Sequence, residues 1–294
     1  MLRLLLPMTA LLVFVLVPLS RAAGGESYID DRSIVMEIER EATVLIDSGV
    51  STDNAELQTQ LRRSAVALDA PLAGALVDAE ADGQGVYEQA VDGVLVVAGL
   101  YLCGNCDRYH ANCASGFIIS EDGLAVTNHH VVDNADNLTL VARTHDGRVV
   151  PIVEVLACDA RDDVALVRLS PDHGPYTALP IARDAEVGER VHAITHPDGR
   201  FYCYTSGEVS RFFLEPRRRG TGARRMQITA DYAKGSSGGP ILNDRGEVVG
   251  LVTSTTSVYY NTQDGRQENL QMVFHNCVPY ESILDLFAGV DGGE

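Results

Sequence analysis

With 294 residues, 41 of them acidic and 23 basic, the chain carries a formal charge of −18. A surface that acidic repels a phosphate backbone and excludes nucleic acid as a partner. The length allows one large domain or two small ones around a substantial core.

Residues 1–22 read as an export signal. Arg3 supplies the basic start, Leu4 to Val17 is apolar apart from Thr9, and Pro18, Ser20 and Ala22 offer small residues for cleavage near Ala22 or Ala23. The apolar run falls short of the ~20 residues of a spanning helix, so no stable membrane span is expected after cleavage. Retention of the signal as an anchor is the alternative. No cysteine follows the run, so a lipid anchor is unsupported, and the mature chain is expected in the periplasm or outside the cell.

Residues 23–90 form an acidic, mainly helical segment. Ile34, Ile38, Ala42 and Leu45 fall on one helical face. Asp53 followed by Glu56 resembles a capping box, after which Leu57, Leu61, Ala65 and Leu68 repeat the stripe. Pro71 opens a third short helix. The segment holds no cluster of catalytic residue types, which leaves packing, a regulatory flap or a partner surface as its role.

Six cysteines in an exported chain suggest a disulfide framework. Three of them cluster in "CGNCDRYHANC", where Cys103, Cys106, His110 and Cys113 read C-x2-C-x3-H-x2-C, the donor set of a tetrahedral zinc site. The spacing is tighter than in a usual zinc knuckle, and oxidising compartments favour disulfides over zinc thiolates. Both readings stay open, as do the pairings of Cys158, Cys203 and Cys277.

From residue 91 to about 290 the texture is that of short strands. "VLVVAGLYL", "SGFIIS", "LAVTN", "LTLVAR", "VALVRL", "RVHAIT", "MQITA", "EVVGLVTS" and "LQMVFH" are rich in β-branched residues and bounded by turn formers. Asp146-Gly147 marks a hairpin. The pattern predicts a mainly β fold, a closed barrel or a sandwich, ending in one helix at "YESILDLF".

The chemistry is concentrated in three stretches. In "AKGSSGGPILND", a glycine-rich turn lets Ser237 expose its hydroxyl while its own N–H and that of Gly235 point one way as an oxyanion hole. A serine hydroxyl needs a neighbouring base, and "VTNHHVV" offers His129 and His130. The base in turn needs a buried carboxylate to fix its tautomer. Asp163 stands immediately before the apolar strand Val164 to Leu169, whereas Asp159 and Asp162 read as solvated turn residues.

Together, "SGFIISEDGLAVTNHHVV", "DDVALVRL" and "KGSSGGPILNDRGEVVGLVT" resemble the core motifs of the trypsin-like serine peptidases, nearest to the bacterial HtrA (Deg) branch. The resemblance implies a two-barrel chymotrypsin/trypsin-like fold preceded by the helical segment. It implies a serine endopeptidase that hydrolyses polypeptides through an acyl-enzyme, with no cofactor and no metal. Matching T-N-x-H-V onto Thr127 to Val131 makes His130 the base and leaves His129 at the variable position. Asp163 takes the orienting role, Ser237 the nucleophile, and the Gly235 and Ser237 amides the oxyanion role. Ser236 departs from the usual Asn or Asp before the nucleophile. The residues after Pro240 suffice only to finish a second barrel, so no PDZ domain is expected.

Asp231, Lys234, Val252, Thr253 and Ser254 are expected to line the substrate pocket. Asp231 stands where trypsin carries its acidic residue, whereas Thr253, Ser254 and Thr255 would narrow the pocket toward small side chains. A protease shell retained for binding or regulation, or held inactive by the helical segment, is the alternative function. "RFFLEPRRRGTGARR" reads as a solvated hairpin tip, a basic contact loop or a self-cleavage site, and Asn137-Leu138-Thr139 matches a glycosylation sequon.

Overall fold

The computed structural model of the protein describes residues 28–64, 81–217, 220–263 and 266–287. The export signal, the second half of the Leu57 stripe (Ala65 and Leu68) and the helix expected from Pro71 lie outside the described residues. Helix α1 (Asp31–Asp47) starts where the Asp30 side chain accepts the Ser33 N–H at 3.1 Å, and it buries Ile34, Ile38 and Ala42. Helix α2 (Asn54–Gln60) is capped by Asp53, whose carboxylate accepts from Ala55. Helix α3 (Gly83–Ala90), at the end of the segment expected to be mainly helical, is capped by Asp82.

Twelve strands follow, arranged as two closed six-stranded barrels. The first is built from β1 (Val94–Leu102), β2 (Tyr109–Ile118), β3 (Leu124–Thr127), β4 (Thr139–Arg143), β5 (Val149–Asp159) and β6 (Val164–Leu169). The second comprises β7 (Arg190–Thr195), β8 (Cys203–Glu215), β9 (Ala223–Ile228), β10 (Pro240–Leu242), β11 (Val248–Gln263) and β12 (Arg266–Pro279). Antiparallel pairing around a closed ring leaves no edge strand to protect, which settles barrel over sandwich. The Asp146-Gly147 hairpin forms between β4 and β5, with Gly147 at φ +97°. A one-turn helix α4 (His129–Val132) follows β3, and α5 (Tyr280–Leu284) falls within "YESILDLF".

Strand β1 shows why its sequence does not alternate. Val94, Val96, Ala98 and Leu100 enter one core and Leu95 and Val97 another, so both faces are buried. The former core is continuous from Ile34, Ile38 and Ala42 of α1 through β1 to Ile194, Leu251 and Val278 of the second barrel. The acidic N-terminal segment therefore packs as part of the fold. Gln58 and Asn54 of α2 donate to the carbonyls of Val132, the last residue of α4, and Asn134 just beyond it.

Several expectations meet a different outcome. All six cysteines stand as free thiols, with Cys158 and Cys277 buried in different barrels. Asp162, expected in solvent, is fully buried. Asn137 of the sequon is buried with its amide against the Gly99 backbone, a position closed to a glycan. The arginine-rich stretch is only partly a solvated tip, because Arg224 and Arg225 ion-pair with Asp162, Asp285 and Glu215.

Candidate active site

Turn residues at the ends of first-barrel strands supply the histidine and the aspartate, and a loop of the second barrel supplies the serine. Asn128 caps α4 in extended conformation, which turns the chain out of β3 and lifts His130 from the barrel. Asp163 sits just before β6 at φ +68°, a left-handed conformation that aspartate tolerates better than most residues and that tends to mark working sites. Its backbone is held there from both sides. The Asp163 N–H donates to Asp159 O at 2.8 Å, and its carbonyl accepts the Asn128 side-chain amide at 2.7 Å.

So placed, the Asp163 carboxylate meets His130 twice. Its oxygens lie 2.9 and 3.0 Å from His130 Nδ1, and Oδ1 also accepts the His130 backbone N–H at 3.0 Å. Thr253 Oγ1 donates to Oδ2 at 2.5 Å. Burial works to raise the Asp163 carboxyl, but the His130 and Thr253 hydrogen bonds outweigh it and hold the group below the ordinary carboxylate range. An ionised Asp163 keeps the His130 proton on Nδ1, which leaves the Nε2 lone pair free on the other edge of the ring. The His130 side chain is 50% exposed.

Two glycines shape the serine loop. Gly235 has φ +95°, and a Cβ there would stand 2.5 Å from the His196 carbonyl. Gly238 has φ +84°, and a Cβ there would meet Ser115 O at 2.3 Å and Thr127 Oγ1 at 2.4 Å. Gly238 thus lets the loop press against the strand end that leads into His129-His130. The Ser237 carbonyl accepts from Ser115 N at 2.8 Å, and Ser115 Oγ donates to Gly235 O at 3.0 Å, stitching the loop to the other barrel. Ser236 is buried and its hydroxyl donates to Thr195 Oγ1 at 3.0 Å, so the turn survives without the usual Asn or Asp.

Among the described residues, the amides of Gly235 and Ser237 take no part in the backbone hydrogen bonds that hold the loop. The Lys234 carbonyl accepts from Asp198 N at 2.5 Å, and in a trans peptide the Gly235 N–H then points away from Asp198. Among the described residues no hydrogen bond engages the Ser237 hydroxyl. Two unpaired N–H groups flanking a free serine can accept developing negative charge on a carbonyl oxygen.

The remaining expected residues lie on two neighbouring stretches, joined where the Tyr232 hydroxyl donates to Ser254 O at 3.1 Å, and they differ in exposure. Val252 is buried in the second-barrel core and presents only its backbone, bonded to Gly238 and Gly239. Ser254 and Lys234 are exposed, and Asp231 is 88% exposed, its Oδ1 3.7 Å from His275 Nε2. His129 is half-buried beside His130. Sequence reasoning missed the grip of Asn128 and Thr253 on Asp163, although Asn128 lies within the motif stretch. Ser115 was missed too, for want of any local signal.

This arrangement, two six-stranded barrels with a His–Asp pair on one and a serine loop on the other, is that of the trypsin-like fold. The family model for the trypsin-like peptidase domain matches residues 114–251, which include His130, Asp163 and Ser237. Among curated proteins the chain is 37% identical over 137 residues to "Probable periplasmic serine endoprotease DegP-like" of Halomonas elongata, covering 47% of this chain and 28% of that protein. Proteins of the same name from Ectopseudomonas mendocina and Chlamydia trachomatis are 36% identical over 150 residues and 31% over 143, covering 50% and 49% of this chain and 30% and 28% of theirs. Residues 114–251 therefore match a trypsin-like peptidase domain, and the chain spans less than a third of the length of these relatives.

Proposed function

We propose that the protein is an exported serine endopeptidase acting on polypeptides. The observation that carries this reading is the ionised Asp163 on His130 Nδ1, set beside a serine loop whose Gly235 and Ser237 amides are uncommitted. His130 Nε2 takes the Ser237 proton as the hydroxyl attacks the scissile carbonyl, and the Gly235 and Ser237 N–H groups receive the oxyanion. His130 then returns the proton to the leaving amine, and water releases the acyl group by the same route. Asp163 stays ionised throughout and stabilises the imidazolium. The side chain before the scissile bond is assigned to the space between residues 231–234 and 252–254. Export rests on the character of residues 1–22 and on relatives named as periplasmic.

The test is labelling of the purified protein with a fluorophosphonate probe. Wild type and His129→Ala are expected to label, and Ser237→Ala and His130→Ala are expected not to. A wild type that folds but neither labels nor cleaves an unfolded protein substrate would refute the reading.

A further inference from the structure

We propose that Cys103, Cys106 and His110 form a zinc site at the tip of the β1–β2 hairpin, oriented by Glu39 of α1, and that the metal clamps the N-terminal helix to the first barrel. Their ligand atoms all lie within 4.8 Å of one another. Cys103 Sγ and Cys106 Sγ are 3.5 Å apart, and Cys106 Sγ is 3.2 Å from His110 Nε2. Two thiolates at about 2.3 Å from a tetrahedral ion stand ~3.8 Å apart, and a thiolate and an imidazole ~3.6 Å apart. The side chains are within a few tenths of an ångström of that arrangement for two of the three ligand pairs.

The surroundings are those of a metal ligand set. His110 presents Nε2 to the sulfurs while Nδ1 faces Glu39 Oε1 at 3.5 Å, the carboxylate–histidine pairing that fixes the metal-binding tautomer. Glu39 also accepts the Ala111 N–H at 3.4 Å, so its carboxylate is anchored to the strand that carries His110. Gly104 at φ +73° lets the chain turn tightly between the two cysteines.

Cys113, the fourth member of the motif, does not join. Residues 110 and 113 lie three apart on β2 and point to opposite faces. Cys113 packs against the core, and burial pushes its thiol up to about 12. The site is thus Cys2His with its fourth position open to water or an outside ligand. It lies about 17 Å along β2 from Ser115, where the strand meets the Ser237 loop, so its role is to hold the helix rather than to act on the scissile bond.

The test uses the full mature chain, reduced and then titrated with Co(II) and Zn(II). One equivalent of Co(II) is expected to give the intense visible bands of a tetrahedral thiolate site, displaced by Zn(II). Cys106→Ser and His110→Ala are expected to lose these bands, and Cys203→Ser to retain them. Glu39→Gln should keep the spectrum while weakening zinc about 10–100-fold against a competing chelator. Zinc should also slow proteolysis at the N-terminal helix, with fluorophosphonate labelling of Ser237 unchanged. Three results would overturn the proposal: no stoichiometric metal in the reduced protein, equal loss in Cys203→Ser, or protein recovered from cells with a Cys103–Cys106 disulfide and no zinc. Since the folded state of each variant is checked by circular dichroism and a cooperative melt, which need no peptidase activity, misfolding cannot mimic loss of the site.

Discussion

Asp162 and Asp163 are neighbours in the chain and identical in chemistry, yet they serve different parts of the molecule. Asp163 turns toward His130 and Thr253 at the candidate active site. Asp162 turns the other way into a fully buried hub. Arg224 Nε donates to it at 2.8 Å, Ser282 Oγ at 2.8 Å, the Arg224 backbone N–H at 3.1 Å and Arg161 Nε at 3.1 Å. Burial works to raise this carboxyl as well, and the Ser282 and Arg224 hydrogen bonds outweigh it, so it too is held below its ordinary value. The hub joins the end of β5 to β9 of the second barrel and to α5, fixing the two barrels relative to each other. One carboxylate orients a base, and its neighbour holds together the surfaces between which that base works.

Exchanging each for asparagine separates the two roles. Asp163→Asn should lower kcat/KM by about 10⁴-fold, because the amide no longer enforces the Nδ1–H tautomer, with little change in the denaturation midpoint. Asp162→Asn should do the reverse, retaining most of kcat and costing about 3–5 kcal/mol in urea unfolding by leaving Arg224 without its buried partner. Equal loss of stability in both variants would erase the contrast.

A similar contrast divides two histidines. His130 is half-exposed, whereas His196 is fully buried between the barrels, donating from Nε2 to Leu95 O at 3.0 Å and accepting the Tyr202 N–H on Nδ1 at 3.0 Å. Burial pushes His196 down from 6.5 to about 4. Because the folded value lies below the unfolded one, its contribution is complete above pH 6.5. That contribution, about 3 kcal/mol, is lost as pH falls toward 4. Melting curves between pH 7 and 4 should show this loss in the wild type and much less of it in His196→Gln.

Smaller effects sharpen the picture around Asp163. Thr253→Val removes one hydrogen bond to the ionised carboxylate and should cost about tenfold in kcat, with KM nearly unchanged. His129→Ala touches none of these bonds and should stay within about twofold of wild type in both kinetics and stability. A large effect at His129 would mean that the adjacent histidines had been assigned in the wrong order.

Local sequence was enough for much of this. The β-branched runs and their turn residues placed the strands, the Ile34–Ile38–Ala42 stripe placed α1, and the spacing of glycines around Ser237 marked the loop that frees two amides. These are properties of a few consecutive residues, governed by backbone geometry and the strand and helix periods. Other features depended on contacts between distant segments. Which of two consecutive aspartates is buried against Arg224, and that Thr253 grips Asp163, follow from how β6, β9 and β11 meet, and no residue near Asp162 encodes it. The cysteine cluster shows the same division. Its spacing announced four donors, but the alternation of side chains along β2 sends Cys113 into the core, while α1 brings in Glu39 from far upstream in the chain. Closure of the barrels, because it sets which strand faces meet, decided what each titratable side chain finds opposite it.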